Sequence, residues 1–424
     1  MEKVSYKSLY TDVLGIIFSK LTLKEMMVIQ LVNKNWYNTS TRMPCRNDLF
    51  FLKPGKLYSA ISSKYGYHIT DYNTNCVSIN KDDDLNYLVM AIQKSQSLKK
   101  IGLAHSQIRG HVKVIMDAIK NSTTITSINL SGNGITHQDI ESVADLISSS
   151  TTIASLDLSN NVAFAFSIKE IQIISDAIIK CPSITFLNLR NNNIGDKCMP
   201  FIANIFSSSS TITSIDLSNN NIYLTGAQYL ADGISKNKSL TSIDLNYNNL
   251  CDDSIQVLAC AIKKHPSISS LNFNGNDFQL DGLEAIANLV KHKISPITSL
   301  SLKSSFNFVS VKGAKIIADV IKNSSSLLSV NIGENEIGSR GAEYIAEALS
   351  LNASINSINL SHNEIGDNGM IFIANAISIN KSITSIYLYW NYHSAIGSQA
   401  ILDAIEKNAS LKFALTLCKE NFSL

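Results

Sequence analysis

Ile125-Thr-Ser-Ile-Asn-Leu-Ser-Gly-Asn133 decides the fold, because the chain writes this stretch many times over. It returns as Ile153-Ala-Ser-Leu-Asp-Leu-Ser-Asn-Asn161. It returns again from Ile184 to Asn192, Ile212 to Asn220, Leu240 to Asn248 and Ile268 to Asn276. Later copies run from Leu327 to Asn335, Ile355 to Asn363 and Ile383 to Asn391, and weaker ones start at Leu98, Ile297 and Leu411. Most starts are 28 residues apart, with extremes of 27 and 31. A period of this size marks a stacked array, in which a unit buries its apolar face only against its neighbours.

Each position has a physical task. Apolar residues at positions 1, 4 and 6 of the unit, such as Ile212, Ile215 and Leu217, point inward, and positions 4 and 6 alternate as a strand requires. The Asn at position 9 stands where the chain leaves the strand, and its amide can satisfy turn groups that stacked neighbours leave unpaired. An apolar residue follows two positions later, as in Ile135, Ile194, Ile222, Leu250, Ile337 and Ile365. The second half is helical: Ala342, Ile345, Ala346 and Leu349 fall at i, i+3, i+4 and i+7. Gly226 to Ile234 and Gly313 to Ile321 repeat this design, with small residues for close helix contact.

The pattern L-x-x-L-x-L-x-x-N-x-I followed by such a helix resembles the ribonuclease-inhibitor type of leucine-rich repeat over about residues 77–420. The resemblance implies an α/β leucine-rich-repeat solenoid over residues 76–424, of about 12 repeats. It would be a horseshoe with parallel strands inside and helices outside. A first strand is expected at Cys76 to Ile79 and a helix from Leu85 to Ile92.

Residues 1–45 do not fit the repeat. Leu9, Val13, Leu14, Ile17, Phe18 and Leu21 begin a helical pattern, and Thr22 with Glu25 forms a capping-box signature for a second helix. With Val32, Lys34 and Trp36 they resemble an F-box, a small all-α module. Tyr10 stands where that family has Pro, and Asn33 where it has Cys or Ser. The resemblance implies docking on the Skp-type adaptor of a cullin ubiquitin ligase through Leu9, Leu14, Ile17, Phe18, Val32 and Trp36. The other reading of these helices is a cap over the first repeat. Residues 46–75, rich in aromatics and containing Pro54 and Gly66, read as a connecting segment packed on the solenoid.

Composition narrows the partners. At 424 residues the chain exceeds what a single compact core supports, and a net charge of +2 provides no general field for nucleic acid or an acidic membrane. Neither is expected as a partner. Met1 to Tyr10 lack the apolar run of a secretory signal, and no stretch approaches the ~18 apolar residues of a membrane-spanning helix. Seven cysteines without a C-x-x-C pair fit free thiols, so a cytoplasmic protein is expected, with the nucleus left open. In an intracellular bacterium or virus the chain would act in the host cytoplasm. The sequons at Asn121 and Asn352 read as products of an Asn- and Ser-rich composition.

Positions 2, 3, 5, 7 and 8 face solvent and are mostly small and polar. The last strong copy differs, with Tyr387, Tyr389 and Trp390, and Tyr392 just beyond. Aromatics dominate interface hot spots. These residues, with Tyr247 and Phe186, are the expected anchors for a protein substrate, and the alternative is a water-shielding terminal cap. Position 5 carries Asn or Asp in most copies, read as a solvated polar ladder, with three carboxylates that could meet a basic segment as the alternative. No phosphate-binding loop, zinc-protease motif or nucleophile elbow is present, so no catalytic residue, metal or cofactor is expected. The favoured function is a non-catalytic adaptor, monomeric within its complex, joining a captured protein to a ligase. A scaffold or inhibitor without a ubiquitin role stands as the alternative. A Ran-type GTPase-activating protein ranks below it, because Arg109, Arg190 and Arg340 sit in no matching motif.

Overall fold

The computed structural model describes residues 53–62, 70–73, 78–79, 81–161, 167–291, 295–303 and 310–411. Residues 1–45, with the six residues expected to dock on an adaptor, lie outside the described residues.

Two units are divided after Asn192. The first alternates α1 (Pro54–Ser62), β1 (Asp71–Asn73), α2 (Asp82–Lys94), β2 (Lys100–Gly102) and α3 (Val112–Lys120). It continues through β3 (Ser127–Asn129), α4 (His137–Ser149), β4 (Ser155–Asp157), α5 (Ile168–Lys180) and β5 (Phe186–Asn188). The second contains α6 (Met199–Ser208), β6 (Ser214–Asp216), α7 (Leu224–Lys236), β7 (Ser242–Asp244), α8 (Asp252–Ile262) and β8 (Ser270–Asn272). It goes on with α9 (Leu280–Val290), β9 (Ser299–Ser301), α10 (Val311–Asn323), β10 (Ser329–Asn331) and α11 (Gly338–Leu351). It ends with β11 (Ser357–Asn359), α12 (Gly366–Ile379), β12 (Ser385–Tyr387) and α13 (Ala395–Lys407).

Within each unit consecutive strands pair in parallel and in repeat register. In the second unit Ile243 stands beside Leu271, Leu300 beside Val330, and Ile358 beside Ile386. Position 4 is therefore the buried centre of every three-residue strand. Ile212, Ile215 and Leu217 are fully buried, as the repeat pattern requires. Each such side chain contributes about 1.5–3 kcal/mol on burial. Helices also meet closely. A Cβ at Gly233 of α7 would come within 2.7 Å of the Ala203 carbonyl oxygen on α6, so only glycine fits there.

The sheet begins at Asp71–Asn73 rather than at Cys76–Ile79, inside the stretch read as a connecting segment. Tyr72 takes the inward position, in register with Ile101 and almost fully buried. An aromatic in an aliphatic slot hid the register. Ile79 instead occupies the buried position after the turn, where its N–H donates to the Ser106 carbonyl at 2.8 Å.

Two amide ladders hold the coils together. At position 9, buried Asn161 accepts from the Asn133 N–H at 3.0 Å and donates to the Leu158 carbonyl at 2.8 Å. Asn363 repeats the arrangement with the Asn335 N–H and the Leu360 carbonyl, and Asn391 with the Asn363 N–H and the Leu388 carbonyl. The second ladder lies where helices end. Asn352 donates to the Ile321 carbonyl at 2.7 Å and Asn380 to the Leu349 carbonyl at 2.7 Å. The Asn of the Asn352 sequon is thus a buried structural group and not a by-product of composition.

Helix starts are tied across repeats as well. Asp252 accepts from the Gln279 and Gly282 N–H groups, at 2.8 and 2.7 Å, and so caps the next helix. Asp367 does the same for Ser394 and Gly397, at 2.8 and 3.0 Å. A carboxylate at a helix N-terminus also matches the positive end of the helix dipole. No helix among the described residues is long and apolar enough to cross a membrane.

Candidate protein-binding site

The solvent-facing line at position 5 is a set of turn staples. Asp216 accepts from the Ser218 N–H at 2.9 Å, Asp244 from Asn246 at 2.9 Å and Asn359 from Ser361 at 2.9 Å. Each closes an Asx turn two residues on, which explains the preference for Asn and Asp. Tyr387 cannot form this staple. It is half-buried on β12, in register with Asn359.

Position 8 sets the geometry of the site. Its backbone N–H donates to the position-7 carbonyl of the following repeat: Tyr247 to Asn274 at 2.7 Å, Glu334 to Ser361 at 2.8 Å, and His362 to Tyr389 at 2.9 Å. Every described residue at this position is left-handed, whatever its type. Asn160, Asn191, Asn219, Gly132 and Gly275 have φ between 53° and 66°, as their residue types favour. Tyr247, His362 and Trp390 adopt the same conformation at φ 50°, 55° and 58°. For an ordinary L-residue that costs about 1–2 kcal/mol. The core does not require these side chains, since Tyr247 and Trp390 are 48% and 56% exposed.

These residues form one strip across the second unit. The Tyr247 ring lies over the next turn, where a Cβ at Gly275 would come within 2.5 Å of it. The Lys303 ammonium follows, paired with Glu334 at 2.8 Å. That hydrogen bond holds the Lys303 pKa above its ordinary value against the opposing effect of burial. Glu334's charge and the Tyr247 and Tyr389 hydroxyls add to the rise, so both rings lie within electrostatic reach of the ammonium. His362 comes next, edge-to-face with Tyr389 at 5.5 Å between centroids and stacked on Trp390 at 5.6 Å. Tyr392 ends the strip, 79% exposed and at φ 52°.

The structure thus brings Tyr247, Tyr389 and Trp390 into one strip, with Tyr387 half-buried on the adjoining strand. Phe186 belongs to the first unit, half-buried on β5 in register with Ser155. His362 is the stacking partner that joins Tyr389 to Trp390. Lys303 and Glu334 were not singled out. Their positions, 7 and 8 in successive copies, were the available signal. The three arginines weighed for GTPase activation lie elsewhere, with Arg340 on α11 beside Glu343 and the Tyr344 ring.

Seven segments match the model described as Leucine Rich repeat: residues 121–144, 180–197, 208–231, 236–259, 264–287, 323–346 and 351–374. The chain carries leucine-rich repeats. Among solved structures, these repeats resemble an internalin from Listeria monocytogenes at 18% identity and a TM-score of 0.44, covering 79% of this chain and 78% of that one. They also resemble the leucine-rich repeat-containing protein LegL7 from Legionella pneumophila at 19% identity and a TM-score of 0.45, covering 69% of this chain and 94% of that one. No curated protein matches the sequence.

Proposed function

We propose that the chain is a protein-binding adaptor that captures its substrate through the aromatic strip of the second unit. The observation that carries this reading is the choice of Tyr247, His362 and Trp390 at turn positions where the backbone favours Gly or Asn. Local stability does not reward that choice. Exposed, pre-positioned rings reward a partner, because large rigid side chains contribute contact area at little entropic cost.

In this reading the F-box-like residues 1–45 dock on a Skp-type adaptor of a cullin ubiquitin ligase. The repeats hold a protein near the ubiquitin carrier. The chemistry belongs to the partner enzymes, and the chain contributes effective concentration.

The capture half is tested by affinity purification from cells of the source organism or its host, with wild type beside Trp390→Ala. A protein retained by wild type should bind the variant about 2 kcal/mol more weakly, or ~30-fold in Kd. Equal affinity for the folded variant would defeat the assignment.

A further inference from the structure

Charge is distributed unevenly along the strip. The solvent-facing strand and turn positions of the second unit carry six carboxylates among the described residues: Asp216, Asp244, Asp277, Glu334, Glu336 and Glu364. They carry one lysine, Lys303, which Glu334 already neutralises at 2.8 Å. The whole chain has a net charge of +2, so acid is concentrated here against the general trend. Glu336 and Glu364 are exposed and occupy position 10 of successive repeats, the line that ends on Tyr392. On this line Glu364 stands one repeat before Tyr392 and Glu336 two repeats before it.

From this arrangement we infer that the strip takes an extended, lysine- or arginine-rich segment of the partner protein. The inference rests on the docking reading above and adds the chemistry of what docks. A guanidinium or ammonium stacks on an exposed indole or phenol ring, and neighbouring carboxylates neutralise it. An acidic or phosphorylated segment would meet like charge. Strands in a sheet are ~4.8 Å apart, so the run from β7 to β12 is about 24 Å. An extended chain at ~3.3 Å per residue covers it with about seven residues.

A random peptide library of about ten residues, displayed and selected on the immobilised full chain, tests the inference. Peptides that depend on Trp390 should be enriched in Lys and Arg, and raised salt should weaken them. Glu336→Lys with Glu364→Lys should lower their affinity about tenfold. Should that double variant fail to fold, Glu336→Gln with Glu364→Gln should lower affinity about threefold. Peptides that depend on Trp390 but show no basic enrichment overturn this inference and leave the docking reading standing. If no selected peptide depends on Trp390, both fall.

Discussion

Asn363→Ala isolates the force that stacks the repeats. The Asn363 amide nitrogen lies 2.8, 3.0 and 3.1 Å from the carbonyl oxygens of Ile332, Leu360 and Ser361. Its oxygen accepts from the Asn335 N–H at 3.1 Å. Two amide hydrogens serve three carbonyls, so the side chain supplies about three bonds in all. At about 1 kcal/mol each, truncation forfeits about 3 kcal/mol. It also strands the Asn335 N–H in a residue 3% exposed, which adds about 1–3 kcal/mol. The expected loss is about 4–6 kcal/mol. Asn221 is the control: its amide bonds Asn193 across adjacent repeats but is exposed, and glycine keeps its left-handed backbone at φ 56°, so Asn221→Gly should cost under about 0.5 kcal/mol. Repeat arrays unfold in segments, so amide exchange over β10–β12 should accompany the denaturant curve. A loss under about 1 kcal/mol for Asn363→Ala, or equal losses for the two variants, would refute the ladder argument.

Three further outcomes follow from the same geometry. Gly233→Val should cost about 1–3 kcal/mol in a thermal or denaturant melt, because the new side chain meets the Ala203 backbone; a neutral result would mean α6 and α7 slide apart freely. The Ser394 hydroxyl and N–H hold the Asp367 pKa below its ordinary value, against slight desolvation and with help from the Gly397 N–H and His393. A pKa lowered by folding stabilises above the unfolded value and is lost as pH falls through the folded one. Ser394 and Gly397 amide protection should therefore persist from neutral pH to about 4 and drop only below it, and loss on raising the pH would contradict this. His362→Ala should weaken partner binding by loosening the Trp390 ring, with a smaller effect than Trp390→Ala by titration calorimetry; a larger effect would make His362 itself the contact.

The array was legible because its period is a direct image of its geometry. Positions 1, 4 and 6 and the Asn at position 9 repeat with one physical task each, and within each unit the structure keeps the paired strands in register. Tyr72 was missed because an aromatic filled an aliphatic slot, so pattern matching moved the first strand to Cys76. The staple at position 5 and the left-handed turn at position 8 were illegible for another reason. Both are backbone requirements, and several residue types meet them. Read as a turn position, Trp390 joins Tyr247 and His362 as departures from Gly and Asn, whereas the sequence alone showed only one aromatic among several. His362 acquired its place only from the neighbouring coil, one repeat away in sequence and 5.6 Å away in space.

The adaptor reading turns on residues 1–45, and the direct measurement is retention of a purified Skp-type adaptor with cullin on the immobilised full chain. Beside it stand a version lacking residues 1–45 and the full-length Phe18→Asp variant, each checked by circular dichroism for an intact solenoid. The account predicts that the full chain retains the adaptor and that both altered chains lose it. Equal retention by all three, or none by the folded full chain, would contradict it and leave a protein-binding repeat array with no tie to ubiquitin transfer.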